Sequence, residues 1–277
     1  GGEIDLAWIR DFSRAHEAAD FDKVLVGYTS TAAEGFVIAG YAAAHTERLA
    51  YLIAHRPGFV APTLAARKAA TFDHVSGGRL ALHIITGGSD ADQAKDGDWL
   101  DHDERYARTD EYLQVMKELW TNPAPAFHGR YVQFDKIAFE PKPVQKPHPP
   151  IFIGGNSRPA MRRAATFGDG WAPWLITREQ LPACLSYIRE QPGLRDHPRP
   201  FEIVMPLATF QVEDYSHRML GETRQPRERE AIVEAIGLLK EAGATAVVLN
   251  PPRTQSVQEF VDWLGWFAHE IMPACKA

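Results

Sequence analysis

The sequence predicts an α/β protein of the eight-stranded (β/α)8-barrel class, and three observations lead there. Apolar strand-like runs alternate with segments of helical spacing along the whole chain, the pattern of a parallel sheet joined by right-handed crossovers. The turn after the first run, KVLVGYTSTAAEG, lacks the GxGxxG that a doubly wound Rossmann sheet places at that point. Seven strands are visible and none precedes the first helix, which fits an eight-stranded barrel whose first strand is absent from the sequence.

Taken in order, Leu6, Ile9, Phe12 and Ala15 give helical spacing over residues 4–19, and KVLVG at 23–27 is a short apolar strand. A helix at 35–45, a strand at 49–55 and a helix at 63–75 follow. The strand at 80–86 is apolar on both faces except for His83, as in a strand buried on both sides. A long polar loop then leads into a helix at 106–120. Residues 123–150 form a proline-rich excursion whose alternation at 129–134 predicts a small hairpin laid over the barrel. The strand PIFIGG at 150–155 opens into a helix at 158–167, followed by a strand at 170–173, a helix at 178–191 and a strand at 201–212. A helix at 227–242, a strand at 245–249 and a last helix at 257–267 complete the series. No internal repeat or inter-domain linker interrupts it, so residues 1–277 are expected to form a single domain.

The composition is that of an ordinary globular protein: 45% apolar and 24% charged among 277 residues, with a formal charge of −6. No basic stripe is present, which argues against nucleic acid as a partner. No apolar run approaches the length of a membrane span and no signal-peptide pattern opens the chain, so a cytoplasmic location is expected. Two cysteines, Cys184 and Cys275, are too few for a disulfide framework or a cysteine-ligated zinc site.

In a barrel the site lies at the C-terminal ends of the strands. That rule gathers residues 27–31, His55, residues 83–88, 154–157, 171–174, 209–211 and Asn250 around one mouth. His55 and Arg56 leave the strand LAYLIAH together and would offer an imidazole and a guanidinium to an anion or a developing negative charge. Alternatively, Arg56 pairs with a carboxylate and His55 bonds a loop carbonyl. His83 is either a satisfied core group or, in the uppermost layer of the barrel, a ligand-facing one. His102, between Asp101 and Asp103, is a ligand-facing donor or a metal ligand, although no HxH or HExxH pair supports a metal site and none is assigned. In IFIGGNSRPAM, Gly154 and Gly155 permit close backbone approach while Asn156 and Ser157 stand at a helix N-terminus, a place suited to a phosphate. The same residues also make a plain strand-to-helix turn with Asn156 or Ser157 as N-cap. Trp171 and Trp174 offer an aromatic wall for a flat ring, and core packing accounts equally well for Trp171.

ATFDHVSGGRLALHIITGG, DGDWLDHDERY and PVQKPHPPIFIGGNS, in that order, resemble the bacterial luciferase-like flavin-dependent monooxygenases, and within them the alkanesulfonate monooxygenase branch. The resemblance runs from about residue 12 to 174 and more weakly to 273. It implies a TIM barrel that takes reduced FMN (FMNH2) from a separate NAD(P)H-dependent flavin reductase and reacts with O2 through a C4a-peroxyflavin. A small organic anion of the sulfonate kind is the implied substrate, and a homo-oligomer the implied assembly. Carried over by position, Thr86, His102 and Tyr106 would line the flavin, Gly155, Asn156 and Ser157 hold its phosphate, and Trp174 stand beside it.

His83 falls where the alkanesulfonate enzymes have asparagine, and either side chain could hydrogen-bond the flavin edge. With His55 and Arg56 it is assigned to the catalytic pocket. Ala32, Pro206 and Ala208 depart from the family's cysteine, arginine and histidine, and only residues 213–230 span an interval that is long in the family. Alternatives to the monooxygenase are a deazaflavin-dependent oxidoreductase, a catalytically silent flavin-binding protein and a metal-dependent hydrolase.

Overall fold

The computed structural model describes residues 3–194, 199–207, 227–249, 252 and 254–276. Helix α1 (Leu6–Ala18) starts at Asp5, whose carboxylate accepts from the Trp8 N–H. Strand β1 (Lys23–Val26), α2 (Gly35–Ala43), β2 (Ala50–His55), α3 (Pro62–Val75) and β3 (Leu80–Ile84) follow. The 85–101 connection contains α4 (Asp90–Lys95), capped by Ser89, an element that the periodicity does not predict. Helix α5 (His102–Thr121) begins four residues before the expected start at 106, because Asp101 accepts from the Glu104 N–H and supplies the cap.

The hairpin is β4 (Phe127–His128) with β5 (Gln133–Phe134), antiparallel as expected. The Glu111 carboxylate of α5 holds it by accepting from the N–H groups of Arg130, Tyr131 and Val132. Then come β6 (Ile151–Gly154), α6 (Arg158–Phe167), β7 (Gly170–Ala172), α7 (Leu181–Arg189), β8 (Glu202–Pro206), α8 (Arg229–Ala242) and β9 (Ala246–Val248). Gly243, in the left-handed region at φ +109°, ends α8. Helix α9 (Val257–Trp266) continues through a π-type turn at Phe267–Ile271 into α10 (Met272–Lys276).

Seven strands form one sheet in the order β1-β2-β3-β6-β7-β8-β9, and every pairing within it is parallel. The two faces of these strands enter different cores. Tyr51, Ile53, Leu82, Ile84, Ile153 and Trp171 point outward and pack beneath the helices. Leu52, Ala81, Phe152, Ala172 and Val204 point inward and form a second cluster, joined by Leu25 from β1 and by Ala246 and Val248 from β9. Residues from the first and last strands of the order meet in that inner cluster, so the sheet curls round a common axis and nearly closes into a barrel. At the N-terminal end of the lumen, Lys23 Nζ of β1 reaches Glu202 Oε2 of β8 at 3.1 Å and lies 5.1 Å from the centre of the Phe152 ring. Of the mouth residues expected from sequence, Ala208, residues 209–211 and Asn250 lie outside the described residues, as do residues 213–226.

Candidate active site

Strand alternation decides which side chains reach the lumen. In β3, Leu80, Leu82 and Ile84 face the helices, while Ala81 faces the axis. His83 therefore points inward, into a narrow opening lined also by Leu52, Ala172, Trp174, Val204 and Pro206. The cavity left there is only about 10 Å3, so the lumen is filled by side chains and a larger ligand has to lie above it, among the loops.

His83 Nε2 is buried and has no hydrogen-bond partner. Burial pushes the ring down to about 4, with the Ala172 carbonyl opposing, so the imidazole is neutral near pH 7. A Cβ at Gly154 would stand 3.0 Å from that nitrogen, so the glycine leaves the space beside the ring open. A buried polar atom without a partner is expensive in an apolar setting. Here it lies against Gly154, in a residue that lines the opening at the barrel mouth.

His55 is on the other side of its strand. Leu52 of β2 faces the lumen and Ile53 the helices, so His55 falls on the helix side, edge-on to Phe36. Its Nε2 lies 2.8 Å from the Tyr112 hydroxyl, and that hydroxyl donates onward to the Val60 carbonyl at 3.0 Å. The Tyr112 oxygen thus accepts from the His55 N–H. Burial foremost, and then Lys68, pushes His55 down to about 3. The structure separates His55 from His83 by the thickness of the barrel wall.

Arg56 is buried at the rim. Its Nη1 pairs with Asp92 at 2.8 Å, and its guanidinium stacks on Tyr28, 4.7 Å from the ring centre. Pairing with a carboxylate was one of the two alternatives at the sequence level. Arg105 (fully buried) binds Asp90 at 2.8 Å and the carbonyls of Leu100 and Gly87, and Arg108 binds Asp98 and the Pro57 carbonyl. Three arginines thus clamp the 85–101 loop onto the ends of β2 and β3.

Most of the other predicted residues are linked by contacts that start from Gly154, beside His83. Gly155 has φ +107°, and a Cβ there would lie 2.9 Å from Ala160 Cβ and 3.9 Å from the Tyr106 hydroxyl. The turn therefore requires glycine. Tyr106 stacks with His102 one helical turn earlier in α5, with ring centroids 4.4 Å apart. Arg163 also lies over Tyr106, 4.7 Å from its ring centre.

Ser157 is the N-cap of α6 and accepts from the Ala160 N–H at 3.3 Å. Asn156 turns away from the helix, and its side-chain oxygen accepts from the N–H groups of Trp174 and Leu175 at 3.1 and 3.2 Å. That bond ties the loop after β7 to the turn after β6 and places Trp174 at the opening. Trp171 packs in the outer core, and its Nε1 donates to the Gly155 carbonyl at 2.9 Å. Thr86 follows β3, and its carbonyl accepts from Gln93 at 3.2 Å.

Sequence inspection missed Gln93, Asp92 and the clamping role of Arg105 and Arg108. The available signal was the density of Asp and Arg in DADQAKDGDWLDHDERYAR, but its pairing partners lie on other elements. Among the described residues no group of three or more His, Cys, Asp or Glu side chains is placed to hold a metal ion, and no helix is long and apolar enough to cross a membrane.

A parallel α/β barrel with a buried, unpartnered imidazole nitrogen at the mouth, a glycine turn and a capped helix N-terminus beside it has the layout of a ligand-binding barrel. Residues 1–243 match the model of the luciferase-like monooxygenases, and the chain belongs to that family. An FMNH2-dependent dimethylsulfone monooxygenase from Pseudomonas putida is 30% identical over 254 residues, which cover 87% of this chain and 69% of that protein. The crystal structure of a monooxygenase from Streptomyces bottropensis gives a TM-score of 0.81 at 20% identity, covering 97% of this chain and 93% of that one. An F420-dependent secondary alcohol dehydrogenase gives 0.79 at 19% identity, covering 97% and 94%. These two structures share the fold.

Proposed function

We propose that the protein is a two-component monooxygenase that uses reduced FMN and O2 to oxidise a small organosulfur compound. The observation that carries the proposal is the buried, unpartnered His83 Nε2 at the barrel mouth, against Gly154, which leads into the Gly155–Ser157 turn. The residues fit a flavin. The Gly155–Ser157 turn leads into the N-terminus of α6, where the helix dipole favours an anion such as the flavin phosphate. Tyr106, His102 and Trp174 supply flat surfaces, and His83 supplies a polar contact for the ring edge. When bound, the reduced flavin supplies the electrons that activate O2. The protein's part is to orient the ring, exclude water through the clamped 85–101 loop and hold the substrate against it.

The Pseudomonas putida relative, named for dimethylsulfone, supports an organosulfur substrate. Among the described residues lining the opening none carries a charge, and Pro206 stands where an arginine would meet a sulfonate. An uncharged sulfone therefore fits this lining better than an alkanesulfonate. A separate NAD(P)H-dependent reductase would supply the reduced flavin, and a homo-oligomer is the proposed assembly.

The test is anaerobic titration with reduced FMN, followed by O2 and either dimethylsulfone or an alkanesulfonate, with oxygen uptake and sulfur product measured. Substrate-dependent product formation with oxygen uptake is the expected result. Hydride transfer to or from a deazaflavin without oxygen uptake would replace this proposal with a dehydrogenase on the same barrel.

A further inference from the structure

We infer that Gln93 is a positioning residue for the flavin edge of the site, acting through Thr86 and Gly87; the inference rests on the flavin proposal above. Gln93 lies in α4, in the middle of a polar loop, yet only 1% of it is exposed. Both ends of its amide are engaged. Nε2 donates to the Thr86 carbonyl at 3.2 Å, and Oε1 accepts from Arg56 Nη1 at 3.5 Å. Gly87 has φ +87°, and a Cβ there would fall 1.3 Å from Gln93 Nε2. The amide thus occupies the volume that a side chain at 87 would need, and the turn and the glutamine interlock.

Helix α4 is itself fixed on several sides. Asp92 pairs with Arg56 and accepts from the Ser30 hydroxyl at 3.2 Å, while Asp96 accepts from the Tyr28 hydroxyl at 2.8 Å. Arg105 holds the Gly87 carbonyl from the α5 side. Thr86 leaves β3 three residues after His83, so the direction in which it would meet a flavin is set by the buried amide that holds its carbonyl. A displaced turn would let reduced flavin react with O2 unproductively: FMNH2 and O2 yield FMN and H2O2, with both electrons and both protons passing to oxygen and none of that oxygen reaching substrate.

The experiment compares wild type with Gln93→Met, which keeps the length of the side chain and loses the amide. Reduced-FMN affinity is measured anaerobically by tryptophan fluorescence, hydrogen peroxide per flavin oxidised after O2 is added, and the melting midpoint alongside. Loss of the two hydrogen bonds of the amide, the stronger of them to Thr86, should weaken reduced-FMN binding by about tenfold and raise the peroxide share, with the melting midpoint moving only a few degrees. Gln93→Glu keeps an acceptor toward Arg56 and loses the donor to Thr86, so it should show the same shift, and it serves where the methionine variant does not fold. Unchanged affinity and peroxide share in a folded variant overturn the inference. So does an affinity loss that merely follows the loss of thermal stability. Failure of the wild type to bind reduced FMN overturns the flavin proposal itself and is seen before any variant is made.

Discussion

His55 ends β2 and His83 lies one residue before the end of the neighbouring β3, and one faces the helices while the other faces the lumen. Both are neutral in the folded protein at pH 7, His55 pushed from 6.5 to about 3 and His83 from 6.5 to about 4, by burial foremost. The unfolded chain takes up protons at both rings near 6.5, whereas the folded protein does so only near 4 and below. Across that window the unfolded state binds more protons, so stability falls as pH falls. Urea midpoints measured from pH 7 to 4 should decline steadily, and His83→Asn should flatten part of the slope. A level profile would mean that both rings are solvated in the native protein. The sequence shows two histidines in apolar strands but not their facing. Both sides of β2 and β3 are buried, so alternation leaves no polar face to mark parity, and register with neighbouring strands decides it.

At the scale of elements, α6 offers a clean separation of stability from binding. Ser157→Asp keeps an N-cap of equal quality, because aspartate accepts the same N–H, while adding a negative charge where the flavin phosphate is proposed to sit. The melting midpoint should hold, and reduced-FMN affinity should fall by at least about tenfold. Unaltered affinity would remove the phosphate from this helix. Most elements here were legible from apolar spacing, and at the helix 158–167 the cap candidate Ser157 agreed with it, while the caps at Asp5 and Gly243 come from the structure. Helix α4 was not. Its six residues are too few for a periodic signal, and ion pairs to Arg56 and Arg105, outside its own span, hold it in place. The Gly155, Asn156 and Ser157 cluster was visible as a motif, yet its division of labour was not, since the groups that claim Asn156 are N–H groups at 174 and 175.

For the molecule as a whole, the barrel follows from strand and helix alternation, but the filling of its lumen follows from contacts between distant residues. Phe152 is fully buried in the inner cluster, and its replacement by alanine should cost roughly 3–5 kcal/mol. Chemical denaturation of Phe152→Ala should show that loss, and a cost under about 1 kcal/mol would mean that the inner cluster is not closely packed. Lys23 and Glu202, which meet at the floor, are separated by 179 residues, so nothing local in either segment announces their pairing.

That floor bears on the order of catalytic events. Lys23, Glu202 and Phe152 occupy the lower end of the lumen, so among the described residues the proposed flavin, oxygen and organosulfur compound are left to share the opening beside His83. Where both organic ligands use that opening, the one seated nearer His83 has to arrive first and depart last. Product-inhibition kinetics should therefore show compulsory order, and a random pattern would require a second route through the wall.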